Sequence, residues 1–561
     1  MSDSLGDGTV VRRPSLADLE VMLGVTAPGD RGDHVPSPEK PVWGVPVRGV
    51  SLDSRRVLPG DLYAALPGAN VHGAHFSAQA AAAGAVAVLT DPAGALAAAA
   101  AGVPVIVVSD PRAVLGDVAA RVHGYPGRQL LTVGITGTNG KTTTAYLVES
   151  LLSAAGWRTG LLGTVETRIA GEHVSSVRTT PEAPDLHALL ARMVRAEVRG
   201  CALEVSSHAL ALHRVDGLVV DVAVFTNLSQ DHLDFHSSME EYFAAKAQLF
   251  TPAHARHGVV AVDGEWGRRL AACATIPVTT VRTDGTVGTG PHETSDWTVT
   301  DVRTGRAGSD FRLVGPAVDV VLHCPLPGAF NVSNAALAAV AGFAAGLPTD
   351  VVVRGLAQTW GVPGRMQPVT LPGGDGPGGT PLVVVDYAHT PDALERVLST
   401  LRGSTPGRLV AVFGAGGDRD RAKRSVMGAV VSRAADVAVV TDDNPRSENA
   451  ATVRAAVLEG TRGGSAEILE IADRRSAIAA ALGRCTGPQD TVLVAGKGHE
   501  VGQEVAGVTT PFDDRVVAVE ELRRWAPRQR EVLTPTSGIS SSVTSTPETS
   551  TPGNTTAGGL P

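Results

Sequence analysis

The stretch Gly134-Ile-Thr-Gly-Thr-Asn-Gly-Lys-Thr-Thr-Thr144 decides the fold of this chain. It follows the apolar run Leu130–Val133 and opens the amphipathic run Ala145–Ala155. In a strand, a glycine-rich loop and a helix in that order, backbone N–H groups approach phosphate oxygens and the helix N-terminus adds partial positive charge. Lys141 adds a full charge, and a threonine hydroxyl can reach Mg²⁺. The stretch therefore predicts a variant nucleotide-binding loop, since the strict spacing requires glycine where Ile135 stands.

Lysine is rare in this chain, because only five of its 48 basic residues are lysines. Arginine serves wherever positive charge alone is needed, so the lysines are candidates for roles that need a compact charge or a modifiable amine. Lys40 lies in a proline-rich stretch and is interpreted as incidental. The other four lie in segments that other features also single out: Lys141, Lys246, Lys423 and Lys497.

Composition limits the class of protein. A chain of 561 residues exceeds a single hydrophobic core, so about three domains are expected. The net charge of −9 argues against nucleic-acid binding. The four cysteines are scattered and form no CxxC pair, which predicts reduced core cysteines in a cytoplasmic protein. The chain shows no apolar leader and no long apolar run, which predicts no membrane insertion. We expect a monomer.

The chain alternates β-like and helix-like runs, which predicts an α/β fold of three domains. The N-terminal domain is expected to be small, the central one to hold a P-loop ATPase-type parallel sheet, and the C-terminal one a Rossmann-like sheet. Residues 275–325 are interpreted as an irregular β-rich insertion. The expected boundaries are 1–45 (mostly flexible), 46–128 (N-terminal domain), 129–361 (central domain), 362–528 (C-terminal domain) and 529–561 (a disordered Ser/Thr/Pro tail).

Polar motifs follow the predicted strands of the third unit. Open α/β sheets bind ligands beyond the carboxyl ends of their strands, so four such motifs predict one shared site. They are Asp386-Tyr-Ala-His-Thr390, Gly414-Ala-Gly-Gly-Asp-Arg-Asp420, Asp442-Asp-Asn-Pro-Arg446 and Gly496-Lys-Gly-His-Glu500.

Two further segments carry candidate metal chemistry. Glu204 ends a predicted strand beside the phosphate loop, where a carboxylate is well placed to hold Mg²⁺ on a nucleotide. His232 and His236 are spaced as a zinc pair would be on a helix, but no H-E-x-x-H motif or third ligand accompanies them. One histidine on Mg²⁺ fits a phosphate site better. The serines after Glu204 lack the G-x-S-x-G context of a hydrolase.

Lys246 lies in the amphipathic run Tyr242–Phe250. A lysine among apolar neighbours usually extends its amine to solvent. Alternatively, a partly desolvated amine has a lowered pKa and can react with CO₂ to give a carbamate anion that bridges cations. The residues alone leave both roles open.

These motifs together resemble the Mur ligases of peptidoglycan synthesis, over residues 47 to 527. The resemblance rests on Gly137–Thr143, Glu204–His208, Asn227–His236, Lys246 and Asp386–His389. It implies an ATP-dependent ligase in which ATP phosphorylates a substrate carboxylate and an amine then attacks the acyl phosphate. The implied substrates are ATP, UDP-N-acetylmuramoyl-L-alanyl-D-glutamate and meso-diaminopimelate, with Mg²⁺ as cofactor and CO₂ as the source of a carbamylated Lys246.

Family membership would also assign site residues. Lys141, Lys246, Glu204 and His232 would be catalytic, and Thr142, Glu204, His232 and carbamylated Lys246 would hold the metal. ATP would contact Gly137, Thr138, Asn139, Gly140, Lys141, Thr142, Thr143, Asn331, Arg365 and Asp386. The nucleotide-sugar peptide would contact Ser54, Thr179, Thr180, Ser206 and Arg214, whereas Leu212 departs from the glutamine common in the family. Diaminopimelate would contact Arg424, Asp443, Asn444, Pro445, Arg446, Gly496 and Glu500.

The signature Asp443–Arg446 resembles that of the diaminopimelate-adding members of the family, and lysine-adding members lack this arginine, so the resemblance implies that Arg446 sets the choice of amino acid. Diaminopimelate has a distal carboxylate that a guanidinium can bind through two hydrogen bonds, whereas lysine has a bare ammonium that arginine would repel. Glu500 would pair with the distal ammonium of diaminopimelate. A lysine-adding ligase is therefore disfavoured.

Two more classes of protein share part of this pattern. Folylpolyglutamate synthase has the phosphate loop but is disfavoured by the third-unit motifs and the N-terminal domain. A P-loop regulatory ATPase would not need a second-substrate site.

Overall fold

The computed structural model describes residues 13–25, 44–68, 70–174, 178–232, 235–284, 295–305, 308–359, 361–369, 371 and 379–532, with side chains described up to residue 525. Three sheets with helices against them confirm the predicted three-domain α/β fold. The predicted tail, 529–561, lies almost wholly outside these residues, as does most of the predicted flexible segment 1–45.

The N-terminal unit is a small parallel sheet in the order β1-β2-β3-β4. Its strands are β1 (Gly49–Ser51), β2 (Asp61–Ala64), β3 (Ala87–Thr90) and β4 (Val105–Val107). Its helices are α1 (Leu16–Leu23), α2 (Ser77–Ala82), α3 (Ala95–Ala99) and α4 (Pro111–Val122). Short β-branched strands alternating with alanine-rich helices produce this arrangement.

The central unit is one sheet of eleven strands, in the order β15-β14-β13-β12-β11-β10-β5-β9-β6-β7-β8. Its first strands are β5 (Leu131–Thr136), β6 (Thr159–Leu162), β7 (Thr167–Ile169), β8 (Glu172–Val174), β9 (Gly200–Glu204), β10 (Val220–Phe225) and β11 (Ala255–Ala261). Its helices are α5 (Lys141–Ala154), α6 (Ala183–Arg195), α7 (Ser207–Ala211), α8 (Met239–Ala247), α9 (Glu265–Cys273), α10 (Ala329–Ala344) and α11 (Thr349–Ala357).

The prediction of a β-rich segment at residues 275–325 is confirmed, but the segment is not an irregular insertion. The segment contains β12 (Val278–Arg282), β13 (Trp297–Gly305), β14 (Gly308–Val314) and β15 (Asp319–Cys324). The last three pair antiparallel and extend the central sheet. Phe311, Leu313 and Leu322 alternate with polar residues and pack into the central core, and the resulting period of two was obscured by the polar runs between them.

The C-terminal unit has a six-stranded sheet in the order β16-β17-β21-β18-β19-β20, and a separate hairpin. The sheet strands are β16 (Gln367–Val369), β17 (Leu382–Asp386), β18 (Leu409–Phe413), β19 (Val437–Val440), β20 (Glu467–Glu470) and β21 (Thr491–Ala495), and the hairpin is β22 (Gly502–Val505) with β23 (Val508–Pro511). Its helices are α12 (Pro391–Ser404), α13 (Ala422–Ala434), α14 (Ala450–Gly460), α15 (Arg474–Gly483) and α16 (Asp514–Val532). All its sheet strands except β16 run parallel, so four polar motifs meet at one edge.

Other expectations from composition have mixed outcomes. Cys201, Cys324 and Cys485 are buried free thiols, but Cys273 is exposed and so is not a core residue. Its position at the end of α9 turns it away from the core. Among the described residues, no helix is both long and apolar enough to cross a bilayer.

Candidate active site

The glycine-rich loop connects β5 to α5, as its sequence predicts. Gly137 has φ of 144°, and a Cβ there would lie 2.0 Å from Thr226 Oγ1, so only glycine fits. Gly140 caps α5 with φ of 86°. The first amides of a fourteen-residue helix therefore point into the loop, which is the arrangement that binds phosphate.

Two of the rare lysines converge on this loop. Lys141 Nζ donates to the carbonyl oxygens of Gly137 (3.0 Å) and Thr138 (2.9 Å). Lys246 Nζ donates to the same Gly137 oxygen at 2.9 Å. Burial lowers the pKa of Lys141, and burial together with the charge of Lys141 lowers the pKa of Lys246 well below its ordinary value. Two ammonium groups on one carbonyl form a site that needs anions.

Tyr242 lies one helical turn before Lys246 on α8 and supports it. The Lys246 ammonium lies 4.6 Å from the centre of the Tyr242 ring, which is cation–π distance. The Tyr242 hydroxyl lies 3.2 Å from Thr138 Oγ1, which also accepts the Ser229 amide at 3.0 Å. Tyr242 therefore links α8 to the phosphate loop.

Glu204 lies at the end of β9, on the strand next to β5, and is buried. Its carboxylate accepts hydrogen bonds from Thr142 Oγ1 (3.0 Å), the Thr164 amide (2.8 Å) and Thr164 Oγ1 (3.0 Å). Thr142 and Glu204, both predicted metal ligands, are thus adjacent at the helix N-terminus. A hydroxyl and a carboxylate suit Mg²⁺, which takes one or two protein oxygens and completes its shell with water and phosphate.

His232 and His236 do not form a zinc pair on a helix. His232 lies in a loop with φ of 54°, and its ring is 6.0 Å from that of Tyr242. His236 is buried, with Nε2 3.0 Å from Ser207 Oγ. Within the part of the chain that the structure describes, no three His, Cys, Asp or Glu side chains group as metal ligands. His232 remains a predicted ligand near Lys246.

Three residues predicted for the nucleotide-sugar peptide meet beside Glu204. Thr180 Oγ1 donates to the Glu204 carbonyl at 2.9 Å and accepts the Ser206 amide at 3.1 Å. Thr179 Oγ1 lies 3.0 Å from Thr164 Oγ1. The contact between Thr179 and Thr164 therefore connects the predicted peptide site to the Glu204 carboxylate, which Thr164 also contacts.

Arg214 joins this region through Glu182, with Arg214 Nε 2.9 Å from the carboxylate. Arg112 of the N-terminal unit reaches the same carboxylate at 3.4 Å and donates to the Leu212 carbonyl at 3.3 Å. The two units therefore meet at an arginine-rich edge. Ser54 lies in the N-terminal unit, where its hydroxyl donates to Gln79 Oε1 at 2.9 Å.

The remaining predicted ATP residues lie on both sides of the connection between the central and C-terminal units. Asn331 is buried in α10, and its Oδ1 accepts from Asn334, whose Oδ1 accepts from Thr144 Oγ1 on α5. Asp386 accepts the amides of Met366 and Ala388, both at 2.7 Å, and burial raises its pKa.

Arg365 extends this connection toward the phosphate loop. Its guanidinium lies 4.5 Å from the centre of the Tyr387 ring. Its positive charge contributes to the lowered pKa of Lys141. Its Nε has no hydrogen-bond partner among the described residues. Arg365 can therefore present donors to a further polar group.

The predicted amino-acid site is built on Asp443-Asn-Pro-Arg446. Arg446 has φ of 50°, a backbone conformation that costs free energy and is held here by the hairpin: its amide donates to the Glu504 carbonyl at 3.1 Å and its carbonyl accepts the Ala506 amide at 2.7 Å. The Arg446 guanidinium donates to the Gly417 carbonyl at 2.7 Å and is a quarter exposed. Its Nε lies 3.7 Å from the Glu504 carboxylate, so an incoming carboxylate would share this guanidinium with Glu504.

Glu500 and Asn444 share a network with Lys497, a rare lysine absent from the predicted site residues. Asn444 Nδ2 donates to Glu500 Oε2 at 2.8 Å, and Lys497 Nζ donates to Asn444 Oδ1 at 3.0 Å and to Glu500 at 3.4 Å. Gly496, at φ of 118°, packs against Asp443, and Pro445 packs against Gly417. The network fixes the direction of the Glu500 carboxylate.

The Arg424 guanidinium is already hydrogen-bonded to other groups of the protein. Its guanidinium binds both oxygens of Glu448 (2.8 and 3.1 Å) and the Gly416 carbonyl (3.2 Å), and it is almost fully buried. Its direct contact with an amino acid remains a prediction, because this structure gives it a supporting contact to the 414–420 loop.

Sequence reasoning missed four residues that shape the site, namely Thr164, Tyr242, Glu448 and Gln503. Lys497 was singled out by its rarity and by its place in the Gly496–Glu500 motif but was given no role, and Tyr242 had a usable signal in its four-residue spacing from Lys246. The other three act through contacts between distant segments and leave no local pattern.

The structure combines a phosphate loop, an adjacent carboxylate and a second α/β domain with a polar site at its strand ends. This combination defines a class of enzyme, the ATP-dependent ligases with a separate domain for the incoming substrate. Residues 46–123 match the Mur ligase family catalytic domain, residues 135–342 the Mur ligase middle domain, and residues 364–498 the Mur ligase glutamate ligase domain. The chain belongs to the Mur ligase family.

Named relatives agree with this membership. The UDP-N-acetylmuramoyl-L-alanyl-D-glutamate–2,6-diaminopimelate ligase of Streptomyces coelicolor is 52% identical over 91% of this chain and 96% of its own length. The UDP-N-acetylmuramyl-tripeptide synthetase of Leifsonia xyli subsp. xyli is 47% identical over 91% of this chain and 96% of its own. A solved UDP-N-acetylmuramoyl-L-alanyl-D-glutamate–2,6-diaminopimelate ligase matches with a TM-score of 0.63 at 33% identity, covering 87% of this chain and 96% of the other.

Proposed function

We propose that this enzyme uses ATP to join meso-diaminopimelate to UDP-N-acetylmuramoyl-L-alanyl-D-glutamate, forming ADP and phosphate. The observation that carries the choice of amino acid is Arg446, whose guanidinium is a quarter exposed at the ends of the parallel strands and is held there by the Gly417 carbonyl and by Glu504. A guanidinium there binds a distal carboxylate and repels a distal ammonium.

The reaction needs a site that brings two anions together. ATP phosphorylates the free carboxylate of the peptide, and the amine of the incoming amino acid attacks the acyl phosphate and displaces phosphate. Lys141 and the α5 amides neutralise the triphosphate. Thr179, Thr180 and Ser206 hold the peptide next to Glu204, so its carboxylate approaches the phosphate loop from that side.

Mg²⁺ completes this site in the proposal. Thr142 and Glu204 fit it because their oxygens lie 3.0 Å apart beside the loop. When bound, the ion screens the repulsion between the carboxylate and the triphosphate. Lys141, whose amine lies at the Gly137 and Thr138 carbonyls of the loop, would bind phosphate oxygens.

Carbamylation of Lys246 belongs to the same proposal. Its amine is buried and its pKa is lowered, so the neutral form that attacks CO₂ is accessible. The amine forms one N–C bond with CO₂ and releases one proton, which leaves an anion. That anion removes the repulsion between Lys246 and Lys141 and supplies oxygen ligands near His232.

Activity assays test the proposed function directly. ADP release should require both the nucleotide-sugar dipeptide and an amino acid, and should be much faster with meso-diaminopimelate than with L-lysine. Equal rates with the two amino acids would defeat the argument from Arg446. ATP hydrolysis at a rate that depends on neither substrate would instead indicate a P-loop regulatory ATPase.

The cellular setting follows from the substrates. ATP and a nucleotide-activated sugar are cytoplasmic metabolites, so we place the reaction in the cytoplasm. A monomer suffices for the proposed chemistry, because all the residues assigned to it come from one chain.

A further inference from the structure

Arg474 and Asp514 form a fully buried ion pair outside the predicted site residues. Arg474 is the first residue of α15 and Asp514 the first of α16, and both side chains have zero exposure. Arg474 Nε lies 2.7 Å from one carboxylate oxygen and Nη2 lies 2.7 Å from the other. Such bidentate geometry fixes the guanidinium plane.

The same guanidinium holds the ends of two strands. Nη2 donates to the Ala495 carbonyl at 2.9 Å, and Nη1 donates to the Asp442 carbonyl at 3.4 Å. Ala495 ends β21 and Asp442 follows β19, and β18 lies between these strands in the sheet. Arg474 thus joins the chain just before Asp443–Arg446 to the chain just before Gly496–Glu500.

The two motifs pack with no space between them. A Cβ on Gly496 would lie 2.3 Å from Asp443 Oδ2 and 3.8 Å from Arg474 Nη2. A change in the distance between Ala495 and Asp442 would therefore change the position of Asp443 against Gly496. Interiors transmit such shifts because they are close-packed.

Asp514 adds a third connection, because α16 begins shortly after the β22–β23 hairpin. This hairpin holds the motif through its backbone bonds to Arg446 and through Gln503 Nε2, which donates to the Asp443 carbonyl at 2.8 Å. The base of the hairpin is closed by the Phe512 amide, which donates to the Val501 carbonyl at 3.0 Å. The ion pair therefore fixes both strand ends relative to the hairpin.

We infer that the Arg474–Asp514 pair is a positioning device that sets the distance between Arg446 and Glu500 and so fits the site to an amino acid with two charged ends. This inference rests on the proposed function. Buried ion pairs contribute little net stability compared with apolar pairs of similar volume. A role in geometry explains why four directed hydrogen bonds converge on one guanidinium.

The test separates geometry from stability. Arg474→Met alone leaves Asp514 buried without its partner and should lower the melting temperature strongly. The double variant Arg474→Met with Asp514→Leu removes both charges and should recover most of that loss. It does not restore the contacts to Ala495 and Asp442.

We expect the double variant to keep its KM for ATP within about twofold of wild type and to raise its KM for meso-diaminopimelate at least about tenfold, because small misplacements of substrate-holding groups cost orders of magnitude. Arg475→Met is the matched control on the same helix, since Arg475 is partly exposed and pairs with Glu520 and with Glu521, which keeps Arg524 as a partner. This control should leave both KM values unchanged.

A double variant with recovered melting temperature and wild-type KM for meso-diaminopimelate would overturn the inference. If the double variant remains unfolded, Arg474→Lys decides the question, because it keeps the charge but loses the bidentate geometry. A normal KM for the amino acid in Arg474→Lys would also overturn it. Wild-type ADP release that does not depend on meso-diaminopimelate would instead refute the proposed function, and the inference with it.

Discussion

The phosphate loop and the amino-acid site satisfy their charges in opposite ways. At the loop, Lys141 and Lys246 both donate to the Gly137 carbonyl, and each has a lowered pKa. At the amino-acid site, cations already face anions, as in Arg424 with Glu448 and Lys497 with Glu500. The first site holds excess positive charge, and the second is internally compensated.

The proposed function accounts for this difference, because the two sites would bind different kinds of ligand. A triphosphate is strongly anionic and brings enough charge to satisfy two lysines, so the loop can leave them without carboxylate partners. A doubly zwitterionic amino acid brings both signs, so its site must present one cation and one anion at a fixed separation. Internal pairing provides that rigidity.

The strongest test of the comparison is Lys246→Ala. We expect activity to fall at least about 100-fold, because the variant loses the carbamate oxygens that would help to hold the metal, and removal of one electrostatic contributor from a dry site costs about 10²–10³ in kcat. A short carboxylic acid or bicarbonate should partly restore ADP release, since it can replace the carbamate. An Ala variant that is active and insensitive to bicarbonate would rule the carbamate out.

Arg446→Ala tests the other site. Loss of a charge-assisted contact worth about 1.5–3 kcal/mol should raise the KM for meso-diaminopimelate about 10- to 100-fold. The KM for ATP should stay unchanged, and discrimination against L-lysine should shrink. Steady-state kinetics with both amino acids measure this, and an unchanged preference would contradict the assignment of Arg446.

The free energy of unfolding of two lysine variants also distinguishes the two sites. In CO₂-free buffer without nucleotide, Lys246→Met should raise the free energy of unfolding at neutral pH, because it removes a desolvated ammonium that Lys141 repels. Lys497→Met should lower it by about 1–3 kcal/mol, because Asn444 and Glu500 lose their partner. Urea titrations of both variants measure the free energy of unfolding, and changes of the same sign would contradict the proposed difference between the two sites.

The pH dependence has a definite sign. Lys246 binds fewer protons in the folded than in the unfolded protein wherever the pH lies between its lowered folded pKa and its unfolded pKa. Wild-type stability relative to Lys246→Met should therefore rise with pH across that window. A flat difference would mean that the lysine is not desolvated.

Tyr242→Phe should have the smallest effect. It keeps the ring under Lys246 and removes only the hydroxyl that contacts Thr138, a loss of about 1 kcal/mol, or about fivefold in rate. Tyr242→Leu, which also removes the ring, should lose more activity. Equal activity of the two variants would exclude a role for packing of the ring against the Lys246 side chain.

Local patterns predicted much of this molecule. The short β-branched strands of the C-terminal unit were readable because burial on both faces imposes continuous apolar runs. Residues 275–325 were predicted to be rich in β structure, but the antiparallel extension of the central sheet by β13–β15 was not, because the partner of each strand is set by the rest of the sheet. Among site residues, Lys141 and Gly137 were evident from spacing, whereas the pairing of Arg424 with Glu448 was not.

The sequence by itself determined the phosphate loop, the rare lysines, the strand-end motifs and the resemblance to Mur ligases, because each depends on neighbouring residues or on fixed spacing. Only the tertiary structure decided that Lys141 and Lys246 share one carbonyl, that Thr142 faces Glu204, and that a buried arginine joins two substrate motifs. Those contacts link segments tens to hundreds of residues apart, and their distances depend on how sheets and helices pack, which no local pattern encodes.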